Sequence, residues 1–223
     1  MFTDPPTSLP QVIGFLLVPS FSMIAFSSAV EPLRSANRMS GRDLYEWRII
    51  TIDGNPVAAS SGLKFIPDYS SDTAGKLDVL VVCAGADVTH VKDDKIFAFL
   101  RRQERSGVKV GGICTGAHIL ARAGLLSDKR CTIHWENLPG FQEEFPELDA
   151  RSDLFEIDGD RFTCAGGTAA LDMMLHLISR QHGAEIGRAV AEQFILDRIR
   201  ENHDKQRMEL RARLGISHPK LIQ

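Results

Sequence analysis

The feature that most constrains the fold is a run of small residues around one cysteine, residues 111–117 (GGICTGA). It completes a continuous apolar segment, VKVGGIC (108–114), which is typical of a strand buried on both faces. A sharp strand-to-helix turn needs glycine, because a Cβ would clash, and it points the next side chain away from the sheet. The sequence therefore predicts an elbow that presents Cys114 at the start of a helix.

Other segments alternate between strand and helix patterns. VIGFLLV (12–18) and DVLVVCAG (78–85) are apolar runs typical of buried strands, and residues 22–38 carry apolar positions at helical spacing. Further amphipathic helices are expected over 168–182 and from about 184 to 199. This alternation favours an α/β fold with a mainly parallel central sheet covered on both faces, and its site is expected at the carboxyl ends of the strands.

Length, charge and cysteine count restrict the class of protein. A chain of 223 residues fits one large domain with a tail. The net charge of −3 disfavours direct nucleic-acid binding by these residues. No apolar run approaches the roughly 20 residues of a membrane span, and the first ten residues do not resemble a signal peptide, so we expect a cytoplasmic protein with no membrane contact. The four scattered cysteines predict free thiols, with no metal site and no cofactor.

Cys114 and His134 are the candidate catalytic residues. A helix N-terminus can lower the pKa of a thiol, the Thr115 N–H can help form an oxyanion hole, and His134 follows a short strand from which it can reach Cys114 as a base. The alternative is a buried, inert cysteine with a structural histidine. For His118, one turn beyond Cys114, we expect either a packing role or a surface position.

A ligand pocket is expected around the elbow. Gly166-Gly167-Thr168 opens a helix, and a glycine-rich backbone can approach a ligand closely; we interpret Asp172, on that helix, as a cap. Aromatic side chains at Phe21, Trp47 and Trp135 could hold a cation, with core packing as the alternative. The pocket is predicted to be lined by Gly85, Ala86, Cys114, Thr115, His134, Trp135, Gly167 and Thr168.

Three stretches together carry a family resemblance: GGICTGAHILARAGLL, CTIHW and CAGGTAALDMMLHLI. They resemble the ThiJ/PfpI branch of the class I glutamine amidotransferase-like proteins and, more narrowly, the sensor domain of AraC/XylS-type bacterial transcription regulators. The resemblance extends from about Val12 to Gln223 and implies a flavodoxin-like three-layer sandwich that forms a homodimer. It also implies a small-molecule effector, such as an amino acid or a quaternary amine, and DNA contact only through a C-terminal helix-turn-helix domain.

The resemblance, with the composition of the tail, divides the chain into three parts. Residues 1–10 are expected to form a flexible arm and residues 11–200 the ThiJ/PfpI domain. Residues 201–223 are expected to hold a linker and the start of a truncated AraC-type DNA-binding domain. The linker is predicted to be a helix over 201–215, because ENHDKQRMELRARLG is dense in charge, and SHPKLIQ then begins an apolar segment.

One departure from the family bears on catalysis. Related enzymes carry an acid in the helix after the first strand, within reach of the cysteine, and spacing puts Ala25 at that position. We therefore expect a non-catalytic sensor domain in which Cys114 and His134 line the pocket. The alternatives are a stand-alone cysteine-dependent amidase, isonitrile hydratase or glyoxalase-like enzyme, and a redox sensor in which Cys114 is oxidised.

Overall fold

A computed structural model describes residues 2–207 of the chain. The strands are β1 Gln11–Leu17, β2 Tyr45–Thr51, β3 Val57–Ala58, β4 Lys64–Phe65, β5 Tyr69–Ser70, β6 Val79–Cys83, β7 Lys109–Ile113, β8 Arg130–Thr132, β9 Asp149–Arg151, β10 Phe155–Asp158 and β11 Arg161–Cys164. The α-helices are α1 Met23–Ser40, α2 Asp94–Arg105, α3 Gly116–Arg122, α4 Leu138–Glu144, α5 Ala169–His182 and α6 Ala184–Gln193.

Seven strands form the central sheet, in the order β10-β11-β7-β6-β1-β2-β5. All neighbouring pairs are parallel except the β10–β11 hairpin at one edge. The chain passes from β1 to β2 on one side and later to β6 on the other, so the strand order reverses between β1 and β6. This confirms the predicted α/β fold with a mainly parallel sheet, and it places loops from β1, β6 and β7 at one edge.

The sheet is covered on both faces, as the continuous apolar strands predict. Helices α1, α5 and α6 pack together on one face, over a core that includes Phe15, Leu33 and Met174. Helices α2 and α3 lie on the other face, over a second core that includes Leu80 and Leu120. No helix within residues 2–207 is both long and apolar enough to cross a bilayer.

The end of the last helix differs from the prediction. Helix α6 stops at Gln193 instead of continuing to Ile199. Ile195 adopts a left-handed backbone with φ of 57°, and the N–H of Leu196 donates to the carbonyl of Ala191. This turn leaves Ile195 exposed and packs Leu196 and Ile199 against the core, so burial of alternate apolar residues outweighs the helical periodicity.

Both predicted flanking segments contact the domain. The arm expected to be flexible is held at its beginning, because Phe2 is fully buried and stacks on Phe162 at 3.7 Å between ring centroids. The predicted linker helix does not begin at Glu201. Residues 201–207 form turns and one antiparallel bridge, Lys205 to Asp153. The rest of the predicted linker and the start of the predicted DNA-binding domain, 208–223, lie outside the described residues.

Candidate functional site

The turn after β7 is the predicted elbow, and it is strained. Cys114 has φ of 59°, a left-handed conformation that few non-glycine residues adopt. The turn is tightly packed: a Cβ on Gly112 would lie 2.7 Å from the carbonyl carbon of Gly116. The Thr115 hydroxyl donates to the Gly85 carbonyl at 2.6 Å, which fixes the elbow to the end of β6. The geometry therefore holds the Cys114 side chain in one place.

The environment of Cys114 keeps its thiol protonated. Burial raises the pKa of the Cys114 thiol to about 11, although hydrogen bonds from the Thr115 N–H and the Ser22 hydroxyl lower it. Burial thus outweighs the helix N-terminus that was expected to activate this cysteine. The first turn of α1 holds no acid, and Ala25 is fully buried in the core. The residue that meets the thiol is Ser22, the N-cap of α1, whose hydroxyl does not ionise at neutral pH and so cannot act as an acid or a base as a carboxyl group does.

His134 is close to Cys114 through its backbone. Its N–H donates to the Cys114 carbonyl at 3.4 Å. The imidazole faces elsewhere: Nδ1 accepts from the Glu136 N–H at 3.4 Å and lies 3.7 Å from a Glu136 carboxylate oxygen. Within the described part of the chain, no hydrogen bond joins this ring to the Cys114 thiol. The pair is therefore adjacent without the contact that a catalytic dyad uses.

A cavity of about 200 Å³ lies beside the elbow, and it contains half of the predicted pocket. As far as residues 2–207 show, Gly85, Ala86, Cys114 and Thr115 lie outside its wall. Gly166 explains the separation, because a Cβ there would lie 2.7 Å from the Cβ of Cys114, so the Gly166 backbone covers the cysteine. The wall is formed by His134, Trp135, Leu154, Ala165, Gly166, Gly167, Thr168, Ala169, Arg200 and Gln206.

Residues 200–207, the C-terminal strap, form part of this wall. Arg200 donates to both carboxylate oxygens of Asp172 and to the Thr168 hydroxyl. Gln206 donates to Thr132, Ile133 and Asp153, and the guanidinium of Arg207 lies 4.3 Å from the centre of the Trp135 ring. Sequence reasoning missed these residues, because a charged tail without apolar periodicity predicts a solvated linker. The strap binds through polar side chains, which leave no hydrophobic pattern.

Other predicted site residues have structural roles. His118 is buried and its Nε2 lies 2.9 Å from a Glu144 carboxylate oxygen, which agrees with the packing role. Asp172 anchors Arg200 instead of capping α5. The aromatic cage does not assemble: Phe21 is fully buried against Phe26 and Phe65, whereas Trp135 lines the cavity. Trp47 lies in β2, beside a different surface depression.

A larger cavity, of about 570 Å³, opens where the strand order reverses between β1 and β6. Open α/β sheets commonly bind ligands at such a point. Its floor is apolar and its rim carries Asp53, Asp87 and Asp93. Asp93 already caps α2 by accepting from the Lys95 N–H, and Asp53 accepts from Asn55, so two of these carboxylates are engaged locally. None of the three was predicted from the sequence as a site residue.

Among residues 2–207, one group of imidazole and carboxylate side chains is close enough to hold a metal ion. The ligand atoms of Asp153, Glu156 and His203 lie within 4.8 Å of one another. Burial, together with a hydrogen bond to Asp153, raises the pKa of Glu156 to about 7. This hydrogen bond accounts for the close approach of the two side chains, so the arrangement does not require a cation.

A doubly covered parallel sheet with a strained cysteine elbow after a central strand defines a class of α/β proteins. The model of the DJ-1/PfpI family matches residues 13–180, about three quarters of the chain. The chain therefore belongs to the DJ-1/PfpI family.

Relatives within this family include both regulators and enzymes. The chain is 48% identical over 217 residues to the HTH-type transcriptional regulator GbdR of Pseudomonas aeruginosa, covering 97% of this chain and 59% of GbdR. It is 31% identical to the isonitrile hydratase of Pseudomonas putida, covering 80% of this chain and 75% of the enzyme. A solved AraC family transcriptional regulator from Pseudomonas putida superposes with a TM-score of 0.76 at 31% identity, covering 83% of this chain and all of that one.

Proposed function

We propose that this chain is the effector-binding domain of a bacterial transcription regulator whose DNA-binding helix-turn-helix domain follows it. The observation that carries the proposal is the 48% identity to GbdR across nearly the whole chain, which spans 59% of that regulator's length. The net charge of −3 supports the same division, since proteins that bind DNA through their own surface usually carry a net positive charge. The regulator would act in the cytoplasm.

The effector would be a small zwitterion, an amino acid or a quaternary amine, bound in the cavity beside the elbow. Two features support this ligand class. Helix α5 begins in the cavity wall at Gly167 and Thr168, so its N–H groups and the positive end of its dipole favour a carboxylate. Trp135 offers an aromatic face to a cation. At about 200 Å³ the cavity suits only a compact molecule.

A homodimer is part of this proposal, because a regulator that reads a two-fold operator needs paired domains. Exposed apolar side chains support it. Ile24 at the start of α1 and Leu63 and Ile66 in the β3–β4 region are all more than half exposed. The Ser61 hydroxyl lies 3.6 Å from the Met23 sulfur, which brings these two regions together. Sedimentation of the purified protein is expected to give twice the chain mass.

The domain would be non-catalytic. Its thiol is held protonated by burial, the first turn of α1 supplies no acid, and the His134 ring faces Glu136. Each of these features removes one step of the proton transfer that a cysteine nucleophile needs.

The test is an effector-dependent DNA-binding assay on the complete product of the gene, including any codons beyond 223. Amino acids and quaternary amines are expected to change its affinity for the DNA upstream of its own operon. His134→Ala, at the elbow cavity, is expected to abolish the response, whereas Asp87→Asn, at the larger cavity, is expected to preserve it. A reading frame that ends near codon 223 would refute the proposal, and the opposite pattern of variants would move the effector to the larger cavity.

The second candidate is a cysteine-dependent hydrolase or hydratase. It is favoured by one observation, the strained φ of 59° at Cys114, which a purely structural cysteine does not need. It predicts turnover of an amide, an isonitrile or a 2-oxoaldehyde that disappears in Cys114→Ala. Absence of turnover across these three substrate classes would remove it.

A further inference from the structure

The C-terminal strap is held on the domain by contacts that surround the elbow cavity. Arg200 is bound to Asp172 at 2.6 Å between guanidinium and carboxylate, and Asp172 is almost completely buried. Two residues later along the strap, the Asn202 carbonyl accepts from the Leu154 N–H at 2.8 Å. Leu154 and Arg200 both belong to the cavity wall. The exit of the chain and the proposed effector site are therefore one structural unit.

Gln206 holds the strap through one half of its amide. Its Nε2 donates to the Thr132 hydroxyl and to the carbonyls of Ile133 and Asp153, at 3.1, 3.1 and 2.8 Å. Two of these partners can only accept, so the orientation of the amide is fixed. Its Oε1 is then buried and has no hydrogen-bond partner among the described residues. Detaching the strap returns this oxygen to water, which makes the strap easier to release than its three donated bonds imply.

Arg207 occupies one aromatic face of Trp135. Its guanidinium lies 4.3 Å from the centre of the Trp135 ring, and Trp135 is part of the cavity wall. One face of an indole takes one cation. A second positive charge would also be repelled by Arg207. Binding of a cation on this face of Trp135 and docking of Arg207 are therefore mutually exclusive.

We propose that a compact organic cation competes with Arg207 for Trp135 and thereby detaches the strap, so that effector binding moves the chain that continues at residue 208. The regulatory role of this movement rests on the proposed function, whereas the competition itself rests on the strap contacts. It also accounts for the size of the cavity, because about 200 Å³ is small for a ligand site and release of Arg200 and Gln206, which are both in its wall, would open it.

The experiment measures the rate of amide hydrogen exchange at Leu154, whose N–H is bonded to the strap. The internal reference is Ala165, whose N–H is bonded to the Leu154 carbonyl within the domain. In Arg207→Ala, exchange at Leu154 is expected to rise about tenfold while Ala165 is unchanged. Tetramethylammonium chloride is expected to raise Leu154 exchange in the unmodified protein, relative to sodium chloride at equal concentration. Arg188→Ala, an exposed arginine on α6, is the matched control and is expected to change neither site.

A second readout follows binding itself. In a Trp47→Phe background, Trp135 is the remaining tryptophan, and its fluorescence reports tetramethylammonium binding. Removing the competing Arg207 is expected to tighten that binding about threefold. Two results would overturn the competition. One is an equal affinity for tetramethylammonium with and without Arg207; the other is a Leu154 exchange rate that changes neither in the variant nor with tetramethylammonium.

The two proposals fail separately. Effectors that control DNA binding while Leu154 exchange stays constant would overturn the strap mechanism and leave the regulator intact. A strap that responds to tetramethylammonium in a protein whose DNA binding responds to no effector would support the strap and refute the regulatory function.

Discussion

The elbow at Cys114 and the C-terminal strap lie on either side of one small cavity, yet they are held in different ways. The elbow is fixed by close backbone packing, with Gly112 and Gly166 where no side chain fits. The strap is fixed by side-chain hydrogen bonds and one cation–π contact near the surface. A backbone-packed turn cannot move without unfolding its strand, whereas polar contacts exchange with water at small cost. The cavity therefore has a rigid wall, formed by Gly166 packed on the elbow, and a releasable wall, formed by the strap.

The largest effect is expected from breaking the rigid wall. Gly112→Ala places a Cβ against the Gly116 backbone, so either β7 or α3 must shift, and we expect a loss of about 3 kcal/mol in the free energy of unfolding. Urea denaturation measures it. Gly140→Ala is the control, because a Cβ there meets nothing within 4 Å and lies in helix α4. Equal stability of the two variants would show that the elbow is not tightly packed.

The second prediction concerns the chemistry that the rigid wall imposes. Burial raises the pKa of Cys114 from 9.0 to about 11, so alkylation by iodoacetamide at pH 7 is expected to be about 100-fold slower than for a free cysteine. The rate should rise with pH up to about 11. Mass spectrometry of the Cys114 peptide follows the reaction. Fast alkylation at pH 7 would indicate an activated thiol and revive the enzymatic and redox-sensor alternatives.

The third prediction tests the anchor of the releasable wall. Asp172→Asn removes the negative charge that binds Arg200, and because Arg200 is only partly buried we expect a loss of about 2 kcal/mol. The rate of trypsin cleavage after Arg200 should rise, because the strap detaches more often. Glu192→Gln, on the exposed side of α6, is the control and should leave both unfolding and cleavage unchanged. Unchanged cleavage in Asp172→Asn would mean that Arg200 does not hold the strap.

The smallest effect is expected at Glu156, which lies beside the strap residue His203. Burial and Asp153 raise the pKa of Glu156 from 4.5 to about 7, so its contribution to folding is fully present below pH 4.5 and is lost as the pH rises through about 7. Glu156→Gln should therefore stabilise the protein at pH 8 relative to pH 5, by about 1–2 kcal/mol. Thermal or urea unfolding at the two pH values measures the difference. A difference of opposite sign would show that Glu156 is ionised in the folded state.

Much of the architecture was predictable because it depends on local pattern. The apolar runs over 12–18 and 108–114 give strands buried on both faces, and the small residues around Cys114 leave few alternatives to a tight turn. The cavity was only half predicted. His134 and Trp135 follow β8 and were within reach of sequence reasoning. Arg200 and Gln206 instead contact residues 28 to 74 positions earlier in the chain, through polar contacts without a periodic signature.

By itself, the sequence determined the α/β class and the position of the elbow, because hydrophobic periodicity and glycine-rich turns are local properties. Its motifs also carried the resemblance to the family. Only the tertiary structure decided how the elbow behaves and what closes the cavity beside it. The thiol pKa depends on how completely neighbouring segments exclude water from Cys114. The position of the strap depends on its contacts with Asp172, Trp135 and Asp153, which lie far apart in the sequence. Such long-range contacts follow from the folded geometry, since no single stretch of sequence contains both partners.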